Sequence, residues 1–442
     1  MKNSRKALIV SYHFPPSAST GAIRPMKFVK YLSGFGWNPI VLTCNNSFDF
    51  GAKKNTELLK DVPKNTTIVR THTFEPLNYW YKRNEHLPRE TVKGNKKGSE
   101  NFITTVSKKI KGFILDILNI PDCYQGWIPF AFLQGLKIIA KHDIDIIFAT
   151  TPPPSATVVG YLLSVLTKKP LILDYRDPWT TTIWAKKHFR FFESLNKKIE
   201  HKAQLQAKYI ISMSKTRANE LHSMYSDVDI SKHVIIPNGY DPEERAQKAA
   251  DLFDKLTFIH AGYLYNNDGI GTFIDVITDL IEKDMDIKNN IKILFAGAKP
   301  DYPLFNKLDK IGIASYIGKL PRKECLDTIA KSHVSLVILR NDSFSLGCIA
   351  SKVFDCMMLR KPILGIIPKG ETKDLIEKTR TGVAVESNDK QGLKKAILDF
   401  YNQYKNGGLT ITPDNTLIEK YDRRELTKQL AHLFNKTVEA VN

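Results

Sequence analysis

The amino-acid sequence predicts an α/β protein made of two doubly wound domains, each a parallel sheet with helices on both faces. The chain has 442 residues, which is more than one hydrophobic core usually serves. Apolar runs alternate with helical segments in the first half, and the alternation restarts after about residue 240. We therefore expect an N-terminal domain over residues 1–240, closed by a C-terminal helix at about 420–442, and a C-terminal domain over 241–419.

The first domain is predicted to hold a parallel sheet. Apolar runs separated by helices of ten or more residues are typical of strands buried on both faces. The predicted strands lie in "KALIVSY", "NPIVLTC", "IDIIFATT", "PLILDYRD" and "YIISMS", and the predicted helices in "IRPMKFVKYLSGFG", "SATVVGYLLSVLTK" and within 189–207.

The pattern is interrupted between Phe74 and Lys111, where a polar and basic stretch shows no sustained period. It predicts a mobile insertion. The segment "VSKKIKGFILDILNI" at its end predicts an amphipathic helix. Its apolar face carries Ile110, Phe113, Ile114, Ile117 and Leu118, and its start carries Lys108, Lys109 and Lys111.

The second domain follows "VIIPNGYDPEERAQKAADLFDK", which we interpret as a crossing between domains that ends in a short helix. The alternation of strands and helices then repeats, which predicts a second α/β domain of similar build. Its strands are predicted in "LTFIHAGYL", "IKILFAGAKP", "ASYIGKL", "VSLVILR", "KPILGIIP" and "GVAVES", and its helices in "GTFIDVITDLIEK", "RKECLDTIAKS" and "SKVFDCMMLR".

Charge is uneven along the chain. Residues 1–225 hold 34 lysines and arginines against 16 aspartates and glutamates, whereas the remainder holds 31 against 30. Nearly all of the net charge of +19 therefore belongs to the first half. Such a surface attracts phosphates, whether in nucleic acid, anionic lipid or a phosphorylated substrate.

Several classes of protein are disfavoured. The five cysteines are scattered without CxxC spacing, which argues against a disulfide framework and a zinc site. The sequence has no GxGxxG, P-loop or GxSxG, so dehydrogenases and common hydrolases are disfavoured. No apolar run is long enough to cross a membrane, and "MKNSRKALIV" leads into a strand, so we expect a cytoplasmic protein.

Two candidate ligand-binding loops lie in the first domain. Gly21 stands just before a helix start, where a missing side chain lets an anion approach backbone N–H groups; the alternative is a helix-capping turn. Asp174, Arg176 and Asp177 in "DYRDPW" follow a strand and suit contacts to sugar hydroxyls or phosphate. A structural arginine–aspartate pair is the alternative there.

The second domain carries a third candidate. The helix that begins at about Ser351 presents Lys352 and Asp355 on one face, three residues apart. The helix N-terminus and Lys352 would meet a diphosphate while Asp355 takes a ribose diol, or the two form a surface ion pair. Gly262 and Gly297, each at a strand end, leave room for a phosphate or base.

These pieces, in this order, resemble the bacterial family 4 glycosyltransferases, whose GT-B fold has two Rossmann-like domains facing a central cleft. The similar stretches span nearly the whole chain: "YHFPPSASTGAIRPMKFVKYLSGFGWNPIVLT", "PDCYQGW", "ATTPPPSATVVG", "DYRDPW", "IPNGYD", "HAGYL" and "SKVFDCMMLRKPILGIIPKGETKDLIEKTRTGVAVE".

The resemblance implies transfer of a sugar from a nucleotide diphosphate donor to an acceptor hydroxyl, with retention at the anomeric carbon and without a metal or other cofactor. The first domain would bind the acceptor and the second the donor. Gly21 should lie against the donor, and Asp355 should match the second carboxylate of the family's Glu-x7-Glu element, which contacts the ribose. The first carboxylate is missing, since Gly347 stands in its place.

Members of this family often have an arginine and a lysine after the first strand of the second domain. The corresponding stretch here, "GYLYNNDGIG", has no cation, so Lys352 is the candidate to replace them. Arg24 and Arg176 would add positive charge. The catalytic candidates are Arg176, Asp177 and Lys352; the donor-binding candidates are Gly21, Arg24, Gly262, Gly297, Lys352 and Asp355; no metal ligand is expected.

The similar family members build cell-surface polysaccharides, such as capsule or O-antigen, which implies a saccharide acceptor on polyprenyl diphosphate. The basic first half and "KKIKGFILDILNI" would then hold the protein on the anionic inner face of the plasma membrane. A solvated basic face above a core helix is the alternative.

Two other functions would fit part of this pattern. A nucleotide-sugar 2-epimerase shares the GT-B fold but needs no basic, amphipathic first domain. A nucleic-acid-binding protein would explain the charge, yet the chain shows no recognised nucleic-acid motif, so we expect no nucleic-acid partner. The transferase accounts for the domains, the motifs and the one-sided charge together.

Overall fold

A computed structural model describes residues 5–45, 54–75, 102–180, 189–245, 251–264, 269–297 and 305–440, apart from the side chains of 102–109 and 307. The chain divides into two compact units. Unit 1 comprises Met1–Met213, Arg217–Ile236 and Thr427–Asn442, and unit 2 comprises Ser214–Thr216 and Pro237–Leu426. Each unit has one parallel sheet, which confirms the predicted α/β fold class.

The sheet of unit 1 has seven strands in the order β3-β2-β1-β4-β5-β6-β7. Its strands are β1 (Arg5–Val10), β2 (Trp37–Cys44), β3 (Thr67–Thr71), β4 (Ile146–Thr151), β5 (Leu171–Tyr175), β6 (Tyr209–Ser212) and β7 (His233–Ile235). The helices of the same part of the chain are α1 (Ile23–Leu32), α2 (Phe102–Ile117), α3 (Ile128–His142), α4 (Pro154–Thr167), α5 (Arg190–Gln206) and α6 (Lys215–Met224). Ala7–Val10 of β1 and all of β4 are buried, as expected where helices cover both faces.

The sheet of unit 2 has six strands in the order β10-β9-β8-β11-β12-β13. These are β8 (Leu256–Ala261), β9 (Ile291–Ala296), β10 (Ala314–Tyr316), β11 (Val334–Ile338), β12 (Ile363–Ile366) and β13 (Gly382–Val385). The helices that follow β8 are α7 (Ile270–Lys283), α8 (Met285–Asn290), α9 (Phe305–Ile311), α10 (Arg322–Lys331), α11 (Ser343–Leu346), α12 (Ser351–Leu359), α13 (Glu371–Thr379), α14 (Lys390–Lys405), α15 (Asn415–Glu419) and α16 (Arg423–Glu439). A core of isoleucine, leucine and phenylalanine side chains packs between the sheet and α7 and α14.

Most predicted elements are present, including the closing helix, which is α16. Two predictions need correction. Helix α2 begins at Phe102, inside the stretch predicted to be irregular, and the rest of that insertion, 76–101, lies outside the described residues. The short helix predicted before β8 is not found over 251–255, and 246–250 lie outside the described residues. Among the described residues, no helix combines the length and apolar character that crossing a bilayer requires.

A buried ion pair joins α1 to β5 in unit 1. Arg24 is 2% exposed, and its Nε and Nη2 donate to the Asp174 carboxylate at 2.8–3.1 Å. Thr150 on β4 donates to the same carboxylate at 2.7 Å, and Arg24 Nη2 also donates to the Ile236 carbonyl. Arg24 therefore fixes the loop after β1. Because Asp174 and Ile236 occupy the buried guanidinium, it is unsuited to the donor binding predicted for it.

A second buried carboxylate fixes the loop after β5. Glu200 on α5 is fully buried and accepts hydrogen bonds from Thr180 Oγ1 at 2.5 Å and from Tyr225 OH at 3.0 Å. Burial raises the pKa of Glu200 to about 7, because the hydroxyl donors only partly replace the water that a carboxylate loses. The segment that carries Arg176 and Asp177 is thereby anchored at its end to α5.

Replacing Arg24 with Met should lower the free energy of unfolding by about 3–5 kcal/mol, because Asp174 would remain buried without its cation. Urea denaturation measures the change. Lys60→Met is the control, since Lys60 and Glu57 form a pair whose side chains are 78% and 75% exposed, and its loss should cost less than about 1 kcal/mol. Equal costs for the two variants would contradict the role given to Arg24.

The Glu200→Gln variant should remove a pH dependence of stability. The folded state keeps the Glu200 proton up to about pH 7, whereas the unfolded chain releases it near the ordinary pKa of 4.5. Stability of the wild type should therefore fall between pH 4.5 and 7 relative to the variant, by up to about 3 kcal/mol. Urea unfolding at pH 5 and pH 8 tests this, with exposed Glu282 changed to Gln as the control. A wild type that gains stability against the variant as pH rises would refute the assignment.

Candidate functional site

Each sheet has one point at which the order of the strands reverses. In unit 1 it lies between β1 and β4, and in unit 2 between β8 and β11. Ligands of open α/β sheets bind at such points, beyond the carboxyl ends of the strands. The predicted site residues lie after strands β1, β5, β8, β9 and β11, at the carboxyl edges of the two sheets.

In unit 1 the loops after β1, β4 and β5 meet around Arg176. The half-buried guanidinium donates to the carbonyl of Pro152 after β4. A side chain built on Gly21 would place its Cβ 2.7 Å from Arg176 Nη1 and 3.2 Å from His13 Cδ2. Glycine permits this close approach, and a larger residue would require the end of the Arg176 side chain to shift. The structure brings Gly21 and Arg176 together, and Asp177 follows as an exposed carboxylate.

In unit 2 the ends of β8 and β9 meet through two glycines. Gly262 has a φ of +132°, in the region that favours glycine, and its N–H donates to Ala296 at 2.8 Å. A Cβ on Gly297 would lie 2.1 Å from the Gly262 carbonyl oxygen. The chain itself therefore requires glycine at both positions, and the same absence of side chains opens the edge of the sheet.

Lys352 reaches this opened edge from the first turn of α12. Its Nζ lies 3.3 Å from His260 Nε2, and a Cβ built on Gly262 would be 3.4 Å from it. The N-cap of α12, Ala350, gives no side-chain cap to the helix. An ammonium group and uncapped N–H groups at a helix N-terminus together form an environment that favours an anion.

Asp355 lies one turn further along α12 and is held by Arg322 at the start of α10. Arg322 Nη1 and Nη2 donate to the two carboxylate oxygens at 2.7 and 2.6 Å, and the same guanidinium contacts Glu244 at 2.8 Å. The Asp355 side chain is 15% exposed. The ion pair predicted as an alternative is thus formed by Asp355 with Arg322, not with Lys352.

The sequence analysis missed His260 and Arg322 as members of this site. His260 lies inside the strand motif "HAGYL", where its apolar neighbours indicate a core position. Arg322 is one of several cations in "KLPRKE", and only the packing of α10 beside α12 singles it out. Gly347, where the first carboxylate of the family element is missing, follows α11 as its C-cap. The expected absence of a metal and of a cofactor stays a prediction.

Comparisons with known proteins agree with this architecture. Residues 101–244 match the model of Glycosyltransferase Family 4, and residues 255–403 match that of Glycosyl transferases group 1. No curated protein sequence matches the chain. The matched ranges together cover more than half of the chain and lie one in each half.

Solved structures resemble the chain over nearly its full length. Sucrose-phosphate synthase from Thermosynechococcus elongatus has a TM-score of 0.60 at 14% identity, covering 99% of this chain and 100% of that one. HepE of Anabaena, in complex with UDP, has a TM-score of 0.60 at 12% identity, covering 98% and 100%. UDP-GlcNAc 2-epimerase from Methanocaldococcus jannaschii has a TM-score of 0.52 at 12% identity, covering 98% and 99%.

At such identities the structural likeness shows the fold alone, and it is the fold that the resemblance implied. The two family models add the class of protein. The chain belongs to the GT-B glycosyltransferases of the family 4 and group 1 type.

Proposed function

We propose that this protein is a retaining, metal-independent glycosyltransferase that moves a hexosyl or N-acetylhexosaminyl group from a nucleoside diphosphate sugar to a saccharide on polyprenyl diphosphate. The product would enter a cell-surface polysaccharide such as capsule or O-antigen. The observation that carries the proposal is the ammonium group of Lys352 beside the uncapped N-terminus of α12, at the strand-reversal point of unit 2. That arrangement suits a diphosphate.

Unit 2 would bind the donor. Lys352 and the first N–H groups of α12 would contact the diphosphate, with Gly262 and Gly297 leaving space beside it. Asp355, held by Arg322 through two hydrogen bonds, would accept from the ribose hydroxyls. Two structures of similar fold support a nucleotide partner. HepE is described in complex with UDP, and the epimerase is named for UDP-GlcNAc.

The transfer would break the bond between the anomeric carbon and the diphosphate oxygen and form one to the acceptor oxygen. The acceptor's proton would pass to the leaving phosphate oxygen. Negative charge grows on the diphosphate as the bond breaks, so the cation and the helix N-terminus stabilise the transition state more than the bound donor. On unit 1, Arg176 and the exposed Asp177 at the carboxyl edge of the sheet are the catalytic candidates for contact with the acceptor hydroxyl.

An apolar patch on unit 1 supports a lipid-linked acceptor. Helix α2 exposes Ile110, Phe113, Ile114 and Ile117, each 44–56% exposed, and Phe191 on α5 is 70% exposed. The two helices meet here, since the centroid of the buried Phe192 ring on α5 lies 5.3 Å from that of the Phe113 ring on α2. Basic residues Lys111 and Arg190 adjoin it in sequence. Apolar side chains flanked by cations suit an anionic membrane surface.

The epimerase remains the second candidate because the chain resembles an epimerase structure in fold. Both functions need a nucleotide-sugar site, so nucleotide binding alone does not separate them. Incubation with UDP-GlcNAc in the absence of acceptor does: an epimerase would produce the C2 epimer, whereas a transferase would leave the sugar unchanged or release it slowly.

The first test is a thermal-shift series with UDP, GDP, dTDP, CMP and NAD. A ligand that binds the native state raises the melting temperature, and we expect one nucleoside diphosphate to do so. With that nucleotide, Lys352→Ala and Asp355→Ala should each weaken binding about tenfold or more, because each removes a charged hydrogen-bonding group. Exposed Lys283 on α7 changed to Ala is the control for charge. Unchanged affinity in folded variants would exclude both residues from the donor site.

Binding to vesicles tests the acceptor side. The protein should sediment with phosphatidylglycerol vesicles at ~50 mM salt and be released as salt rises, because screening weakens attraction to a charged surface. The double variant Ile114→Ser, Phe191→Ser should bind at least about tenfold more weakly, since each buried apolar side chain is worth about 1.5–3 kcal/mol. Met285→Ser, at an exposed position of unit 2, is the control. If the wild type does not sediment with these vesicles at ~50 mM salt, the proposed binding to an anionic membrane is wrong.

A further inference from the structure

His260 is a buried ring with a defined partner on each nitrogen. It is the fifth residue of β8 and is 1% exposed. Its Nδ1 lies 3.2 Å from the carbonyl oxygen of Leu336 on β11, and its Nε2 lies 3.3 Å from Nζ of Lys352 on α12. One side chain therefore joins the two strands at the reversal point of the sheet to the cation at the site.

The partners of the ring favour one tautomer. The Leu336 carbonyl only accepts hydrogen bonds, so its contact favours a proton on Nδ1, and the backbone of Tyr263 also hydrogen-bonds to the ring. Burial, together with the adjacent charge of Lys352, holds the pKa of His260 well below its ordinary value, which leaves the ring with one proton at neutral pH. In the Nδ1–H tautomer, Nε2 presents a lone pair to which the ammonium group of Lys352 can donate.

We infer that His260 is a positioning residue, whose neutral ring orients the Lys352 ammonium toward the diphosphate. This inference rests on the proposed function, because it assigns to His260 the preparation of the same donor site. A free lysine side chain samples many rotamers, and ordering it on binding costs part of the binding energy. A carboxylate in the place of Nε2 would also hold the lysine but would cancel its charge. The neutral ring orients the cation and leaves the charge available.

The competing interpretation is a core histidine that only joins β8 to β11. Two substitutions separate the roles. In His260→Asn the shorter amide can still donate to the Leu336 carbonyl, but nothing remains at the position of Nε2. In His260→Gln an amide oxygen reaches that position and can accept from Lys352. If His260 positions Lys352, Gln should preserve nucleotide affinity to within about threefold, whereas Asn should lower it about tenfold, the loss expected for one charge-assisted hydrogen bond.

A double-mutant cycle shows whether the effect passes through Lys352. The affinities for UDP, GDP and dTDP are measured by calorimetry for the wild type, His260→Asn, Lys352→Met and the double variant. We expect His260→Asn to cause no further loss in the Lys352→Met background. Equal losses in both backgrounds, or a larger loss for Gln than for Asn, would overturn the inference. Circular dichroism and urea unfolding identify a variant that fails to fold.

The ring itself gives a readout that needs no ligand. The 15N chemical shifts of His260 at pH 7 distinguish the two neutral tautomers and the protonated ring. We expect the Nδ1–H tautomer, and a protonated ring or the Nε2–H tautomer would overturn the inference. If the wild type shows the expected tautomer but binds none of the three nucleotides, the donor site fails and the geometry of His260 stands. If it binds one and the cycle shows no coupling, His260 fails and the donor site stands.

Discussion

The arrangement of the loops around Arg176 in unit 1 depends on a buried ion pair. Arg24 and Asp174 join α1 to β5, while Thr150 adds a hydrogen bond from β4. Three loops leave the same edge of the sheet, and the pair fixes the first of them relative to the last. Because both charges are removed from water, the intact pair adds little net stability, but removing either partner would strongly destabilise the fold.

The two units use positive charge in different ways. In unit 1 the Arg24 guanidinium meets a carboxylate, so the charges cancel and the pair is purely structural. In unit 2 the Lys352 ammonium meets a neutral imidazole, so orientation is gained without cancellation. Arg322 forms ion pairs with both Asp355 and Glu244, and these contacts orient the Asp355 carboxylate. The partner of each cation therefore distinguishes the structural Arg24, which meets a carboxylate, from Lys352, which meets an imidazole.

Local pattern was enough to predict the two parallel sheets, because buried strands are long apolar runs that need no tertiary information. It failed for β3, a short strand at the sheet edge with intermediate burial, and for the apolar helix α3, which the sequence analysis did not identify. It also did not identify Arg24 as the partner of Asp174, since the two residues lie 150 positions apart in the sequence. Which arginine meets Asp174, and that His260 meets Lys352, depends on strand order, which links residues 92 or more positions apart.

The contact between Gly262 and Gly297 restricts how such a site can diversify. A side chain on Gly297 would collide with the Gly262 carbonyl, and one on Gly262 would be strained by the φ of +132°, so neither position accepts a side chain without moving a strand end. On the proposed function, variation in donor preference would therefore come from the segments after β10 and β11, which carry Arg322 and Lys352. A laboratory attempt to change sugar or base preference should randomise those segments and leave the two glycines alone.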